Sequence, residues 1–301
     1  MPTSQVDFLK LLDEVGLPHE NAKQQHGAIL EIIGFEVDLV RMAITLLADA
    51  KSQLINAICD FVHHPPSPRQ HPTRAWLHIL GYANWGLNVF PLLKPALNSS
   101  YDKVAGCTFL NVLIFLNKCM TEDLLWFADQ VEHLDGVQMI NDDIWDAPEA
   151  NLQIWGDASA IGLAFWSPSH NVAYIVDPIV DAEWHFNIFY NEAITILGAL
   201  EWALTLNPPP KHLAIHTDSS TSFGIFNSLC TISLYNPIIF SSVKIRLQFK
   251  IDLHVFIIEG KKNTIADALS CCALSLARHL APGLKILFFM PPQLLRGASL
   301  K

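Results

Sequence analysis

The sequence predicts an α/β fold: a mixed five-stranded sheet with flanking helices, preceded by a mainly helical segment. Three observations predict it. Apolar residues change near the middle of the chain from helical spacing to short alternating runs. The stretch Asp135–Glu149, with Gly136, Pro148 and several acidic residues, separates the two patterns as a domain boundary would. After it, three short strands are followed by helix, strand, helices, strand and helix, an order that implies a sheet covered by crossover helices.

The elements follow in order. Val6–Leu17 carries Phe8, Leu11, Leu12 and Val15 at helical spacing and stops at Gly16 and Pro18. Lys23–Val40 reads as two strands in a hairpin-like unit, kinked at Gly34. Ala48–Val62 is a helix with Leu47, Ile55, Ile58 and Val62 as its stripe, Asp49 as its starting cap and His63-His64-Pro65-Pro66 as its stop. Thr73–Leu92 places Trp76, Leu77, Leu80, Trp85, Leu87 and Phe90 on one helical face and ends at Pro91 and Pro95. Glu122–Leu134 is a further amphipathic helix.

Beyond the boundary, Asn151–Asp157, Ile161–Trp166 and Asn171–Val176 form a meander of strands. Asn187–Leu206 is a helix, closed by Asn207 and three prolines. His212–Thr217 is a strand leading to Asp218; Thr221–Leu229 and Pro237–Lys250 are helices. Leu253–Ile258 is the last strand and Asn263–Leu280 the last helix. The residues after Leu280 read as a tail.

Composition bounds the function. Half of the 301 residues are hydrophobic and 16% are charged, enough apolar surface for a substantial core. The formal net charge of −10 has the wrong sign for a protein held to phosphate by global attraction. A metal-bridged site or a local basic face is still compatible with it. The six cysteines form no CxxC pair and no zinc-type grouping with histidine. The N-terminus MPTSQVDF lacks the charged and apolar regions of a signal peptide, and the longest apolar runs are too short to span a bilayer. These features predict an intracellular protein of cytoplasm or nucleus, with free thiols and no membrane partner.

The chemistry centres on QIWGDASAIGLAFW. An apolar strand delivers Asp157 at its end, Ala158-Ser159 make the corner, and Ile161–Trp166 starts the next strand. A carboxylate there is costly unless it is solvated, paired or metal-bound. Glu192 lies one position off the apolar stripe of its helix, Asp218 follows a strand at its carboxyl end, and Asp267 opens the last helix. Singly, each has a plain alternative: a turn aspartate, a solvated helix face, an N-cap and a helix-dipole partner. Together they make sense as hard oxygen ligands for Mg²⁺.

Residues Asn151 to about Cys272 resemble the ribonuclease H domain of retroelement reverse transcriptases. The resemblance rests on WGDASAIGLAFW, NEAITILGALEWAL, HTDSSTSFGIFNSL and IIEGKKNTIADALS. It carries the family's metal-binding acids onto Asp157, Glu192, Asp218 and Asp267. KQQHGAILEIIGFEVD is similar to the strand pair leaving a polymerase palm. ADAKSQLINAI and HILGYANWGLNVFPLLKPAL are similar to thumb and connection helices, and DLLWFADQVEHLDGVQMI to the linker of DIRS-like tyrosine-recombinase retrotransposons. The implied organisation is 1–147 for the palm end, thumb and connection, 148–280 for an RNase H-like domain, and 281–301 for a tail.

This resemblance implies a two-metal hydrolysis, with Mg²⁺ or Mn²⁺, of the RNA strand of RNA–DNA hybrids. Ser159, Lys261, Lys262 and Asn263 would contact the nucleic acid. No YxDD-type pair is present; Asp142-Asp143 follow Ile140-Asn141 in the linker. Polymerisation would therefore need a reverse transcriptase palm supplied in trans. His254 is the approximate counterpart of a family histidine, and Cys271 stands where the family's arginine follows ADALS. The alternative expectation is a truncated or domesticated fragment that binds nucleic acid or a partner without catalysis.

Overall fold

A computed structural model describes residues 3–20, 23–65, 69–138, 145–176, 187–232 and 234–292. The N-terminal half begins with helix α1, Thr3–Glu14, whose only buried residue is Leu9. Strands β1, Ile29–Ile32, and β2, Phe35–Asp38, form the expected hairpin. Ile33 and Gly34 make its turn with φ of 50° and 84°, a left-handed pair suited to a two-residue hairpin. A third strand, β3 (Ala43–Leu46), extends the pair; its four residues are too short a run to announce themselves in the sequence.

Helix α2 spans Ala48–His63 and buries Leu54, Ile58 and Val62. Its N-cap is Leu47, which makes no side-chain cap, so Asp49 sits in the first turn, where its charge favours the helix dipole. A short strand β4, Gln70–Pro72, leads into helix α3, Thr73–Gly86. Pro95 is not a terminator: it occupies the first turn of helix α4, Pro95–Val104, where its missing N–H is no loss. Strand β5, Leu113–Phe115, pairs back antiparallel to β4. Helix α5, Lys118–His133, is capped by the Asn117 side chain, which accepts from the Met120 N–H. Trp76, Leu54, Ile58, Leu80, Leu124 and Phe127 close this core with almost no solvent exposure. Strand β6, Val137–Gln138, then returns to pair with β3. Gly136 permits that return, since a Cβ there would lie 2.6 Å from the Ile44 carbonyl oxygen. The boundary residues Asp142-Asp143 lie outside the described part of the chain.

The C-terminal half is built on strands β7 (Leu152–Ala158), β8 (Leu163–Ser167) and β9 (Val172–Val176), an antiparallel meander. Helix α6, Ile188–Ala203, crosses to β10, His212–Thr217, which pairs parallel to β7. Helices α7, Ser220–Ser228, and α8, Asn236–Phe249, cross to β11, Asp252–Ile257, parallel to β10. These five strands are the expected mixed sheet, in the order β11-β10-β7-β8-β9. The strand order and crossover helices are those of the RNase H-like fold.

Two features depart from expectation. The last helix breaks into α9, Thr264–Ser270, and α10, Leu274–Leu280. Cys272, at φ 56°, ends α9 with its own N–H on the Leu269 carbonyl and the Ala273 N–H on the Ala268 carbonyl, a Schellman closure without glycine. Part of the segment beyond Leu280, read as a tail, joins the sheet. Lys285–Phe288 forms β12, which pairs parallel to β9 and makes the sheet six-stranded.

Strand alternation then assigns the faces. Leu152, Ile154, Leu163, Phe165, Leu213, Ile215, Leu253 and Val255 pack against α6, α7 and α8 in the larger core. Ala164, Ala173 and Ile175 face α9 and α10 in a smaller one. The halves meet through buried Asn98, whose Nδ2 donates to the Leu229 carbonyl and to Asn236 Oδ1 at 3.2 and 2.9 Å. Trp126 and Phe240 pack beside this contact with centroids 4.4 Å apart. Among the described residues no helix is long and apolar enough to cross a membrane.

Asp123 on α5 lies at the same junction and accepts a 2.6 Å hydrogen bond from Ser99 Oγ. Burial pushes its carboxyl up to about 6, against the opposing pull of that hydrogen bond, the Cys119 thiol and the Lys244 charge. The native state therefore holds a proton that the unfolded chain releases near its ordinary value of 3.8. This group's penalty on stability is absent below pH 4, grows as pH rises to about 6 and is full above it. Asp123→Asn, which keeps the acceptor for Ser99, is expected to gain about 2 kcal/mol over the parent above pH 6 and nothing below pH 4. Urea unfolding across that pH range checks it.

Candidate active site

Strand β7 aims its side chains alternately, and Gly156 faces α6, where a Cβ would touch Thr195 at 3.4 Å. Asp157 therefore points to the other face, toward α9, and is 8% exposed. Ser270 Oγ donates to Asp157 Oδ2 at 2.5 Å. Asp218 follows the end of the neighbouring parallel strand β10 and is exposed. It is not the cap of α7: Ser219 takes that place and accepts from the Ser222 N–H. Glu192 sits on α6, half-buried, with Oε2 out of solvent and without a hydrogen-bond partner. Asp267 is exposed in the first turn of α9.

Asp157 feels the other three acids, and Glu192 feels Asp218. Burial pushes the Asp157 carboxyl up to about 7; the Ser270 hydrogen bond opposes the rise, and the charges of Asp218, Asp267 and Glu192 add to it. Glu192 is likewise raised, first by burial, with a Ser219 hydrogen bond opposing and Asp218 adding to the rise. A strand end, a helix, a second strand end and a second helix thus bring negative charge to one place. Among the described residues no three His, Cys, Asp or Glu side chains are drawn together closely enough to enclose an ion.

The polar residues expected to meet nucleic acid divide in two. Lys261 and Lys262 are exposed in the turn Gly260–Lys262 and pair with Glu259 at 2.7 and 3.6 Å. Ser159 is turned inward: its hydroxyl donates to the Ser270 carbonyl at 2.7 Å and accepts from the N–H groups of Ile161 and Gly162. Asn263 is 1% exposed, and its Nδ2 donates to the Gly156 carbonyl at 3.1 Å. Both tie the segment that carries Asp267 to the strand that carries Asp157. His254 is engaged on β11, stacked on Trp145 at 4.2 Å with Nε2 3.5 Å from Asp252.

Sequence reasoning missed three positioning features. Gly260 leaves room for Asp218, whose Oδ2 would lie 2.9 Å from a Cβ there. Ser270 is a small polar residue inside a helical motif, three positions from Asp267, and only its distance to Asp157 marks it out. Gly162 lets the start of β8 touch α9, for a Cβ there would sit 2.6 Å from the Ser270 carbonyl oxygen.

No family model and no curated protein matches the chain. Among solved structures it is similar to a foamy viral protease-reverse transcriptase in complex with an RNA/DNA hybrid, at 14% identity and a TM-score of 0.30, over 76% of this chain and 29% of that one. A structure of the foamy viral protein with double-stranded DNA gives 16% identity and a TM-score of 0.31, over 96% of this chain and 52% of that one. The chain thus spans about half or less of those proteins. At so loose a superposition, the fold rests on strand order and helix placement.

The contact at Gly162 is with backbone, which cannot swing aside. Gly162→Ala is expected to destabilise the protein by about 2 kcal/mol through overpacking. Gly224→Ala in α7, where nothing lies within 4 Å, should be neutral or stabilising by up to about 1 kcal/mol. Urea midpoints of the two variants check this contrast.

Proposed function

We propose that this chain is a retroelement-derived ribonuclease H that hydrolyses the RNA strand of RNA–DNA hybrids. What supports the reading is that Asp157 lies within electrostatic reach of Asp218, Asp267 and Glu192, whose charges add to burial in raising it to about 7. Such a group of carboxylates is unfavourable by itself and becomes favourable around divalent cations. The residues fit that demand. The donor set is all oxygen, as Mg²⁺ or Mn²⁺ prefers, and Glu192 Oε2 is a buried acceptor without a partner.

Asp157, Glu192, Asp218 and Asp267 would hold two such ions. Bound there, the ions supply an activated water and stabilise the leaving oxygen of a phosphodiester. The protein's own groups do the rest. Asn263 and Ser270 hold α9 against β7, so that Asp157 and Asp267 keep a fixed separation. Lys261 and Lys262 stand on the turn beside Asp218, where a phosphate backbone could replace Glu259 as their partner. Recognition would be by hybrid shape and 2′-hydroxyl contacts rather than by base edges. We further infer that the N-terminal half grips the duplex, that the origin is a DIRS-like element, and that any polymerase palm is supplied in trans.

A second reading has its own support. The net charge of −10, and the lack among the described residues of three ligands drawn around one point, favour a fragment that keeps the fold and binds nucleic acid or a partner without cutting.

Cleavage of a labelled RNA–DNA hybrid in Mg²⁺ separates the two. The parent protein should cut the RNA strand, and Asp157→Asn should cut at least about 100-fold more slowly. Equal rates in both would overturn the nuclease, and hybrid binding without cleavage by the parent would establish the second reading. Mn²⁺ is also expected to raise the melting temperature of the parent by mass action, and to do so less in Asp157→Asn.

A further inference from the structure

We propose that Ser270 is a positioning residue for the Asp157 carboxylate, fixing which of its oxygens is offered to a divalent cation. The inference rests on the nuclease reading above. Ser270 is fully buried at the end of α9, with no exposed surface. Its hydroxyl has one hydrogen and two acceptors within reach, Asp157 Oδ2 at 2.5 Å and the Asp267 carbonyl at 3.0 Å. The shorter contact, to the group that can carry full negative charge, is the stronger acceptor and takes the hydrogen. Oδ2 is thereby occupied, and Oδ1 is left as the oxygen without this donor.

The serine is itself held in place. Ser159 Oγ donates to the Ser270 carbonyl at 2.7 Å, and the same Ser159 oxygen accepts from Ile161 and Gly162 in the turn after Asp157. Asp157 and Ser159 lie on one strand–turn unit, Asp267 and Ser270 on one helical turn. Two hydrogen bonds running in opposite senses join the units: Ser159 to the Ser270 backbone, and the Ser270 side chain to Asp157. A sideways slip of α9 along β7 would break both. Gly162 allows the approach, because any side chain there would meet the Ser270 carbonyl. A ligand carboxylate oriented by a donor behind it binds more tightly than a freely rotating one, and removal of such a donor typically lowers metal affinity 10–100-fold.

The experiment measures Mn²⁺ binding to the full chain by titration calorimetry for the parent, Ser270→Ala, Asp157→Asn and the double variant. Ser270→Ala should weaken Mn²⁺ about tenfold, and the same substitution should have no further effect in the Asp157→Asn background. A merely structural role would lower affinity in both backgrounds alike and overturns the proposal. Parent-like affinity in Ser270→Ala, with Asp157→Asn weakened, overturns it while leaving the nuclease site standing. Parent-like affinity in Asp157→Asn overturns the site itself and the proposal with it. Should Ser270→Ala not fold, Ser270→Cys takes its place: its weaker donor should cost Mn²⁺ affinity by a smaller factor in the parent and nothing further in the Asp157→Asn background, and loss alike in both backgrounds overturns the proposal.

Discussion

In the C-terminal half, strand β7 ends in Asp157, a carboxylate whose charge both burial and three other acids work against. Burial comes first and those charges add to it, raising the Asp157 carboxyl to about 7. The fold answers with neutral donors rather than with cations: Ser270 on Asp157 and Ser219 on Glu192. Lys261 and Lys262 are turned to Glu259 instead. Negative charge is therefore retained rather than cancelled, beside the ends of two strands and against two helices.

Much of this was legible in the sequence, and the reasons are physical. β10 was placed at His212–Thr217 because its apolar run is bounded by a proline-lysine turn and by Asp218. The acids were legible because a carboxylate at a strand end stands out against an apolar background. What escaped notice was short or non-local. β3, β4, β5 and β12 have three or four residues each, too few for alternation to register. The break after α9 needed Cys272 in a left-handed conformation, which an uninterrupted apolar pattern conceals.

Side-chain direction was the other limit. Ser159 and Asn263 sit beside the acids in sequence and invited a role facing the ligand, yet both point inward and hold α9 to β7. Asp218 looked like a helix cap, but Ser219, one residue later, fills that position and leaves the aspartate free to face Gly260. Spacing reports that residues are neighbours; it does not report which face each one turns.

The pairing of β12 with β9 has a consequence for how the protein is made. β9 is synthesised long before β12, so one rim of the sheet emerges with its backbone donors and acceptors unmatched until Lys285–Phe288 arrives. An open rim of that kind can recruit other chains. Covering that rim takes a segment more than a hundred residues downstream, so a chain cut short before Lys285 would keep the β9 rim open.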